Sequence, residues 1–314
     1  MTPEDILSHP ARVLTPEQRR YYFDNGYVVV EGAIGRPWLD RLRDASAEMV
    51  ERARPLTQSE GGFVLEDGHT ADAPRLRRLS NPVEHHPAFW EFASQSSVAD
   101  AAADVCGPDV KFYHSKLNFK WARGGQDFKW HHDINAWPHT NYSPVTMGLY
   151  LEDCELEQGP LIVIKGSHDR PLYSMYDDTG RWVLSIPEEK LAWAGPEQRD
   201  YLTGPAGTLA ILNCRTVHGS ARNDSPRGRP FLLNVYSSAD AFAYRANPLA
   251  NRYEGTIVRG KPARWAHHDP RPCEIPPDWS GGYGGPWQHQ KDANAPTIET
   301  TTVSPTPAGR RSDY

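Results

Sequence analysis

The chain has 314 residues, of which 38% are hydrophobic and 24% are charged, and its formal net charge is −6. This is the composition of a soluble globular protein, and neither a basic stripe nor an acidic tail stands out, which argues against nucleic acid and anionic membranes as partners. Four scattered cysteines without a C-x-x-C pair, no basic apolar leader and no apolar run of about eighteen residues predict a reduced, cytoplasmic protein rather than a disulfide scaffold or a membrane protein.

The first third of the chain carries helical patterns. A capped helix is predicted to begin at Thr15, with Pro16 in its first turn and Gln18 completing the cap, and to end at Gly26. The apolar run 27–30 then predicts a strand. Apolar residues at helical spacing predict two further helices, over residues 37–50 and about 87–105.

From residue 110 the pattern changes to short apolar runs separated by turn residues. These runs predict strands over residues 110–118, 145–151, 161–164, 208–212 and 231–236. Irregularly spaced strands after a helical first third predict a mainly β fold with helices. The expected architecture is a double-stranded β-helix, a jelly-roll or cupin-like barrel, with the N-terminal helices packed on one sheet. Residues 170–201 are too long for a hairpin and are expected to form a lid or an excursion.

We expect a single domain over residues 1–293, with a core of about 14–240 and a Pro/Gly/Trp-rich C-terminal extension of about 253–293. Residues 294–314 contain little that could be buried, so a disordered tail is predicted there. The sequence leaves a monomer and a homodimer equally open.

A candidate metal site lies in the segment Trp130-His131-His132-Asp133. In an extended strand alternate side chains share a face, so His131 and Asp133 can reach one ion while His132 points the other way. His218 follows the strand predicted over 208–212, near the mouth of the barrel. Two imidazoles and one carboxylate on one side of an ion form the site of non-heme Fe(II) oxygenases.

Arg229 follows His218 by eleven residues and begins the next predicted strand. If the two strands are antiparallel neighbours, both side chains point into the same cavity. A guanidinium inside a barrel needs an anion, and its planar fork suits a carboxylate. The pattern therefore predicts a dicarboxylate co-substrate.

The other histidines have ordinary alternatives. His139 would contact substrate or lie exposed on a loop, and His168 is either a rival ligand or a hydrogen-bonded turn residue. His85 and His86 are expected to be surface or packing residues.

A cluster of Arg75, Arg77 and Arg78 would be a phosphate clamp for an acyl-CoA or, more ordinarily, a solvated face. His114 and Lys116 alternate with Asn118 along one strand, so they face the cavity if Asn118 does; the alternative is a hydrated strand end.

The chain resembles the phytanoyl-CoA dioxygenase family of Fe(II)/2-oxoglutarate oxygenases over roughly residues 14–240, with a local match to the ectoine hydroxylases. The segments that carry the resemblance are 14–18, 26–29, 116–120, 128–133, 159–161, 166–168 and 217–229. It implies Fe(II), 2-oxoglutarate and O₂ as cofactor and co-substrates.

The resemblance assigns roles by position. Metal binding would fall to His131, Asp133 and His218. 2-Oxoglutarate binding would fall to Arg229, Asn118 and Ser220. The substrate pocket is predicted to contain Trp137, Lys116, His114 and Asn234. The chain departs from the ectoine hydroxylases at His114 (glutamine there), Lys116 (arginine) and Leu233 (a substrate-stacking phenylalanine), which separates it from ectoine as substrate.

The predicted function is hydroxylation of an unactivated C–H bond in a small polar metabolite, an amino-acid derivative or carboxylic acid, with decarboxylation of 2-oxoglutarate to succinate. Asp133 favours hydroxylation over halogenation, because related halogenases carry a small residue there. Two alternatives use the same iron centre: desaturation or cyclisation, and oxidation of an acyl-CoA. A third is a non-catalytic metal-binding barrel, against which Arg229 argues, since mere metal binding needs no co-substrate anchor.

Overall fold

The computed structural model describes residues 1–283 and 285–291. The helices in these ranges are α1 Pro3–Ser8, α2 Pro16–Asn25, α3 Arg36–Ala53, α4 Pro82–His85, α5 Pro87–Gln95, α6 Ser97–Cys106 and α7 Pro286–Gln290. The strands are β1 Tyr27–Val30, β2 Phe63–Leu65, β3 Leu76–Ser80, β4 Val110–Lys120, β5 Phe128–His131, β6 Val145–Tyr150, β7 Leu161–Ile164, β8 Arg199–Leu202, β9 Leu209–Asn213, β10 His218–Ser220, β11 Arg229–Ser238 and β12 Ile257–Arg259. The tail predicted over residues 294–314 lies outside the described residues.

Two antiparallel sheets face each other. The larger has the order β1-β9-β6-β11-β4-β3-β2, with β12 paired to β4, and the smaller has the order β5-β10-β7-β8. From β4 to β11 the chain crosses repeatedly between the two sheets, with only β7 and β8 consecutive in one sheet, as in a jelly roll. The predicted fold class, a double-stranded β-helix, is confirmed.

The helices cover the outer face of the larger sheet. Their apolar faces and the outward-facing residues of that sheet form one buried cluster, in which Leu42, Phe92, Met147 and Leu232 take part. A second set of buried residues, including Tyr150, Phe231 and Leu161, fills the space between the sheets. The site therefore sits in the barrel interior, which the helix layer supports from behind.

The predicted single helix over residues 87–105 is wrong. Ser96 has an extended backbone, with φ −82° and ψ 174°, and separates α5 from α6. Its hydroxyl donates to the carbonyl of Phe92 at 2.6 Å and accepts from the amide of Val98 at 3.2 Å. The same serine therefore ends one helix and caps the next, a local competition that helical periodicity does not reveal.

The predicted end of α2 at Gly26 agrees with the structure. Gly26 has φ +86°, and a Cβ there would lie 2.6 Å from Thr216 Oγ1 and 2.7 Å from the ring of His168. Only glycine fits this left-handed turn.

Residues 170–201 form an irregular excursion with two short 3₁₀ helices, Glu188–Leu191 and Pro196–Gln198, before the chain enters β8. Met175, Ile186 and Leu191 anchor the excursion in the barrel core. No helix within the described ranges is long and apolar enough to cross a membrane.

Candidate metal and co-substrate site

Three side chains from the smaller sheet converge in the barrel. His131 ends β5, Asp133 follows it, and His218 begins β10 directly opposite His131 in the strand register. The Nε2 atoms of both histidines lie 3.9 Å from Asp133 Oδ1. One ligand atom from each residue lies within 4.8 Å of the others, and all three side chains are buried. The structure thus brings together the three residues predicted from their spacing.

Backbone hydrogen bonds orient both imidazoles. The Nδ1 atom of His131 lies 2.8 Å from the carbonyl of Lys129, and that of His218 lies 2.9 Å from the carbonyl of Thr216. Because a carbonyl only accepts, the proton of each neutral ring is on Nδ1 and the Nε2 lone pair points toward Asp133. Burial and the neighbouring His218 hold the pKa of His131 well below its usual range, so this ring is neutral. Neutral imidazoles with oriented lone pairs are what a metal ion requires.

The carboxylate of Asp133 is held from behind. Thr146 Oγ1 on β6 donates to Asp133 Oδ2 at 2.8 Å, which leaves Oδ1 facing the two histidines. Burial alone would raise the pKa of Asp133, but Lys116, His218 and His131 outweigh it and the pKa is lowered. The carboxylate is therefore charged and available as a ligand.

Arg229 lies on the opposite side of the barrel. The sequence suggested that its strand is an antiparallel neighbour of the His218 strand, and this is wrong: β10 pairs with β5 and β7, whereas β11 pairs with β4 and β6. Arg229 and His218 nevertheless line the same cavity, because the two sheets face each other across it. Arg229 is 5% exposed, and its Nε atom has no hydrogen-bond partner in the described structure. A buried donor of this kind fits an anionic ligand.

The inner face of the larger sheet presents its side chains in rows. In the β4–β11 register Lys120 pairs with Arg229, Asn118 with Phe231, and Lys116 with Leu233, and in the β3–β4 register Arg78 pairs with Asn118. Ser220 on β10 faces these rows from the smaller sheet. Asn118 and Ser220 thus line the same cavity as Arg229 and the metal-binding residues, and their assignment to 2-oxoglutarate stays a prediction.

Two adjoining cavities open around the three metal-site residues. The first, here the Arg229 cavity, has a free volume of about 70 Å³ and is lined by Asn118, Lys120, Ser220, Arg229, Phe231 and Leu233. The second, the Trp137 cavity, has a free volume of about 40 Å³ and is lined by His114, Trp137, Leu184, Leu249, Tyr283 and Pro286. Both cavities share Arg78, Lys116, Phe128, His131 and Asp133. The arrangement offers one space for a co-substrate and one for a substrate, with the metal site between them.

His114 and Trp137 form a rigid wall of the second cavity. Their rings meet edge to face, with centroids 5.7 Å apart, and His114 Nδ1 lies 3.2 Å from Asn247 Oδ1. Burial and the charge of Lys116 hold the pKa of His114 well below its usual range. The ring is therefore neutral and donates to the amide oxygen.

Asn234 is not part of this site. It lies on β11 between Leu232 and Tyr236, two members of the helix-side core, and lines neither cavity. The predicted substrate contact is therefore wrong, because side chains alternate along β11 and the cavity takes the odd-numbered residues. Both polar atoms of the Asn234 side chain are buried without a hydrogen-bond partner in the described structure.

The remaining histidines lie away from the metal site. As strand alternation predicts, His132 turns to the other side, with its Nδ1 2.5 Å from the carbonyl of Arg215. His168 follows its turn interpretation, with Nε2 2.8 Å from the carbonyl of Phe23. His139 is only 3% exposed, so neither its predicted loop exposure nor a contact with the two cavities is found. His85 lies in α4, and His86 caps α5.

Sequence reasoning missed the contribution of Arg78. The ordinary interpretation of the arginine cluster as a solvated face is wrong for Arg77 and Arg78, which are 7% and 5% exposed. Arg78 Nε donates to Asn118 Oδ1 at 2.9 Å. The available signal was the apolar flank of Leu76 and Leu79, which marks a strand rather than a surface loop.

The C-terminal extension also contributes to the site. The strap formed by residues 279–283 and 285–291 places Tyr283 in the Trp137 cavity and Trp287 in the Arg229 cavity. Trp287 covers the guanidinium of Arg78, whose Cζ lies 4.4 Å from the ring centroid. Gln290 ties the strap down, because it accepts from the amide of Lys129 at 3.1 Å and donates to the carbonyl of Leu184 at 2.8 Å. Aromatic residues in an otherwise Pro/Gly-rich segment were the signal.

Comparison with known proteins identifies relatives of the whole barrel. Residues 22–231 match the family model described as "Phytanoyl-CoA dioxygenase (PhyH)". A curated relative from Stutzerimonas stutzeri, named a probable alpha-ketoglutarate-dependent hypophosphite dioxygenase, is 28% identical over 262 residues, covering 83% of this chain and 90% of that protein.

Solved structures share the fold. The apo form of EctD from S. alaskensis superposes with a TM-score of 0.64 at 23% identity, covering 82% of this chain and 90% of that one. The same enzyme with bound Fe gives a TM-score of 0.61 at 23% identity, covering 83% and 89%. The family match spans most of the chain and includes all three metal-site residues and Arg229. The chain therefore belongs to the phytanoyl-CoA dioxygenase family and is a dioxygenase that uses iron and 2-oxoglutarate.

Proposed function

We propose that the protein hydroxylates an unactivated C–H bond of a small polar metabolite, an amino-acid derivative or a carboxylic acid. The observation that carries this proposal is the buried constellation of His131, Asp133 and His218, opposite Arg229 and beside a separate small cavity. A metal site alone would suit many functions. A metal site with an anchor for 2-oxoglutarate and a second, separate cavity suits oxidation of a further substrate.

The residues present fit iron(II) and 2-oxoglutarate. His131, Asp133 and His218 offer two nitrogen lone pairs and one carboxylate oxygen, the ligand set of non-heme iron oxygenases. Arg229, with an unpartnered buried Nε, fits the distal carboxylate of 2-oxoglutarate, and Asn118 and Ser220 offer polar groups beside it. When bound, iron and 2-oxoglutarate supply the oxidation, in which O₂ and 2-oxoglutarate yield succinate, CO₂ and a hydroxyl group on the substrate.

The protein's own contribution is orientation and exclusion of water. The carbonyls of Lys129 and Thr216 fix the two imidazoles, and Thr146 fixes the carboxylate. Trp137 and His114 form the wall against which a substrate C–H would be held. Trp287 adds an aromatic side chain to the lining of the Arg229 cavity, and excluding water there would limit unproductive oxidation.

The size of the Trp137 cavity favours a small substrate. Its free volume of about 40 Å³ is far below the roughly 300–1,000 Å³ of pockets that hold large ligands. This observation weighs against oxidation inside a long acyl chain carried by coenzyme A. The name of the S. stutzeri relative indicates hypophosphite as its substrate, so this small phosphorus oxyanion belongs in any substrate panel for the present protein.

The four cysteines are free, and three of them are buried, as expected for thiols in a reducing compartment. We therefore keep a cytoplasmic location as part of the proposal.

The first test uses purified protein with Fe(II) and 2-oxoglutarate, without oxygen. Wild type is expected to develop the visible absorption of an iron–2-oxoglutarate complex, and His131→Ala to lose both the band and tight iron binding. His268→Ala, at an exposed position, is the control. Admission of oxygen with a metabolite panel should then give succinate and a product heavier by one oxygen atom. Iron binding that survives His131→Ala, or no succinate with any member of the panel, would contradict the proposal.

A further inference from the structure

Two cations beside the metal site have no carboxylate of their own. Arg78 makes one side-chain hydrogen bond, to the neutral Asn118, and no ion pair with any described residue. Lys116 makes neither a hydrogen bond nor an ion pair with a described side chain. By contrast, the neighbours Arg75 and Arg77 lie 3.6 Å from Glu66 and 4.0 Å from Asp67.

Arg78 is buried, and Lys116 is half-buried. Arg78 is 5% exposed, and burial lowers its pKa to about 10, so it still carries its charge at neutral pH. Burial also lowers the pKa of Lys116, which Asp133 partly offsets. Buried charges are costly unless paired. One buried and one half-buried cation in the same cavity wall therefore call for an anion.

The co-substrate does not supply that anion. If the proposed function holds, the charges of iron(II) and Arg229 are balanced by Asp133 and the two carboxylates of 2-oxoglutarate, because histidines bind a metal as neutral imidazoles. Lys120 stays outside this balance, because its ammonium group already donates to a protein acceptor, the carbonyl of Ala221. The metal site with iron(II) and 2-oxoglutarate bound is then neutral. The positive charges of Arg78 and Lys116 remain unbalanced.

Distance also separates Lys116 from the end of the co-substrate at Arg229. Lys116 lies four residues along β4 from Lys120, the register partner of Arg229. Four residues of antiparallel strand span roughly 13 Å, whereas a five-carbon diacid spans roughly 6 Å. Arg78 and Lys116 line both cavities, so their charged groups can reach the Trp137 cavity.

We infer that the substrate is an organic or phosphorus oxyanion whose charged group binds between Arg78 and Lys116, with the oxidised bond directed toward the metal site. Trp287 and Asn118 hold the Arg78 guanidinium in place for this contact. Carboxylates, phosphonates and phosphinates share the required chemistry: a compact negative charge with several acceptor oxygens. The inference deepens the proposed function and rests on it.

The experiment measures binding of small probes to the anaerobic Fe(II)/2-oxoglutarate protein at constant ionic strength. Propionate, methylphosphonate and hypophosphite are compared with the uncharged propionamide, through the perturbation of the visible iron–2-oxoglutarate band and through calorimetry. At least one anion should bind ten-fold or more tightly than propionamide. Which anion binds best distinguishes a carboxylate substrate from a phosphorus oxyanion.

Variants then locate the contact. Arg78→Gln and Lys116→Gln should each weaken binding of the preferred anion ten-fold or more, while the affinity for 2-oxoglutarate stays within two-fold of wild type. Arg75→Gln, which removes an arginine already paired with Glu66, should change neither affinity.

Three results would overturn the inference. The first is equal binding of propionamide and the anions. The second is an anion affinity that both variants leave unchanged. The third is a loss of 2-oxoglutarate affinity as large as the loss of anion affinity, which would mean that Arg78 and Lys116 bind the co-substrate. An intact visible band in wild type without anion preference defeats this inference alone. Absence of the band in wild type defeats the proposed function as well.

Discussion

Thr146 Oγ1 donates a 2.8 Å hydrogen bond to Asp133 Oδ2, and the other oxygen of the same carboxylate faces both histidines at 3.9 Å. The threonine stands on β6 of the larger sheet, whereas the histidines stand on the smaller one. One hydrogen bond therefore couples the two sheets at the metal site. It also decides which carboxylate oxygen is available to a metal.

Replacing this threonine should weaken metal binding without removing a ligand. In Thr146→Val the carboxylate loses the one side-chain hydrogen-bond donor that the described residues offer it and can rotate, so we expect a roughly 10- to 100-fold lower affinity for Fe(II). Competition with a metal chelator measures it. Thr208→Val is the control, because its hydroxyl donates to the carbonyl of Pro205 far from the site. Equal iron affinity in both variants would contradict the orienting role.

Arg229 should determine the affinity for 2-oxoglutarate. Arg229→Gln removes the charge opposite a buried carboxylate, which costs about 2–3 kcal/mol, or roughly 30- to 150-fold in the KM for 2-oxoglutarate. Steady-state succinate formation measures this, and iron binding should be unchanged. Arg222→Gln provides an exposed arginine as the matched control. A normal KM for 2-oxoglutarate in Arg229→Gln would remove the residue from the co-substrate site.

His139 should make the fold sensitive to acid. Burial lowers its pKa to about 4, against an ordinary value of 6.5. The unfolded chain therefore takes up a proton that the folded state excludes, and the free energy of unfolding falls as pH decreases from about 6.5 to 4. The loss attributable to this group is roughly 3 kcal/mol.

Urea unfolding across this pH range measures the effect. In His139→Gln the free energy of unfolding should decrease less steeply with acid than in wild type, whatever its value at neutral pH. The same acid dependence in both proteins would show that His139 does not titrate as its burial implies.

Asn234 should be dispensable for catalysis. Its amide is buried on the helix side of β11 with no partner for either polar atom in the described structure. Asn234→Leu removes this desolvation penalty, and we expect a stability gain of about 1 kcal/mol with the substrate KM unchanged. Thermal unfolding and steady-state kinetics check the two parts. A raised substrate KM in Asn234→Leu would show that Asn234 contributes to substrate binding after all.

Trp287 should keep oxidation coupled to the substrate. Trp287→Ala uncovers the Arg229 cavity and frees the Arg78 guanidinium, so water gains access and positioning is lost. The ratio of succinate formed to substrate oxidised should rise several-fold, as measured by quantifying both products. Trp265→Ala is the matched control, since that tryptophan is 85% exposed. An unchanged ratio in Trp287→Ala would mean that the strap does not cover the working site.

Local patterns in the chain were enough to predict the barrel and the metal-site residues. Strand alternation separates His131 and Asp133 from His132, and the order of helical and β patterns indicates a jelly roll with a helix layer. These features depend on neighbours in sequence, where the periods of strand and helix act directly. Local patterns could not predict which way Asn234 points. Its side of the sheet depends on the register of β11 against strands distant in sequence, so its predicted place in the substrate pocket failed.

The tertiary structure alone decided which distant residues share the cavities. Arg78 on β3 and Trp287 near the C-terminus are separated by more than two hundred residues in sequence. Nevertheless, the indole ring of Trp287 covers the guanidinium of Arg78. Likewise, Arg229 and His218 line one cavity from opposite sheets, although their strands are not hydrogen-bonded neighbours. Closure of two sheets around one interior brings them together, and no local propensity records that closure. The sequence determined the chemistry at the metal, and the packing of the barrel and its strap determined the surroundings of the substrate.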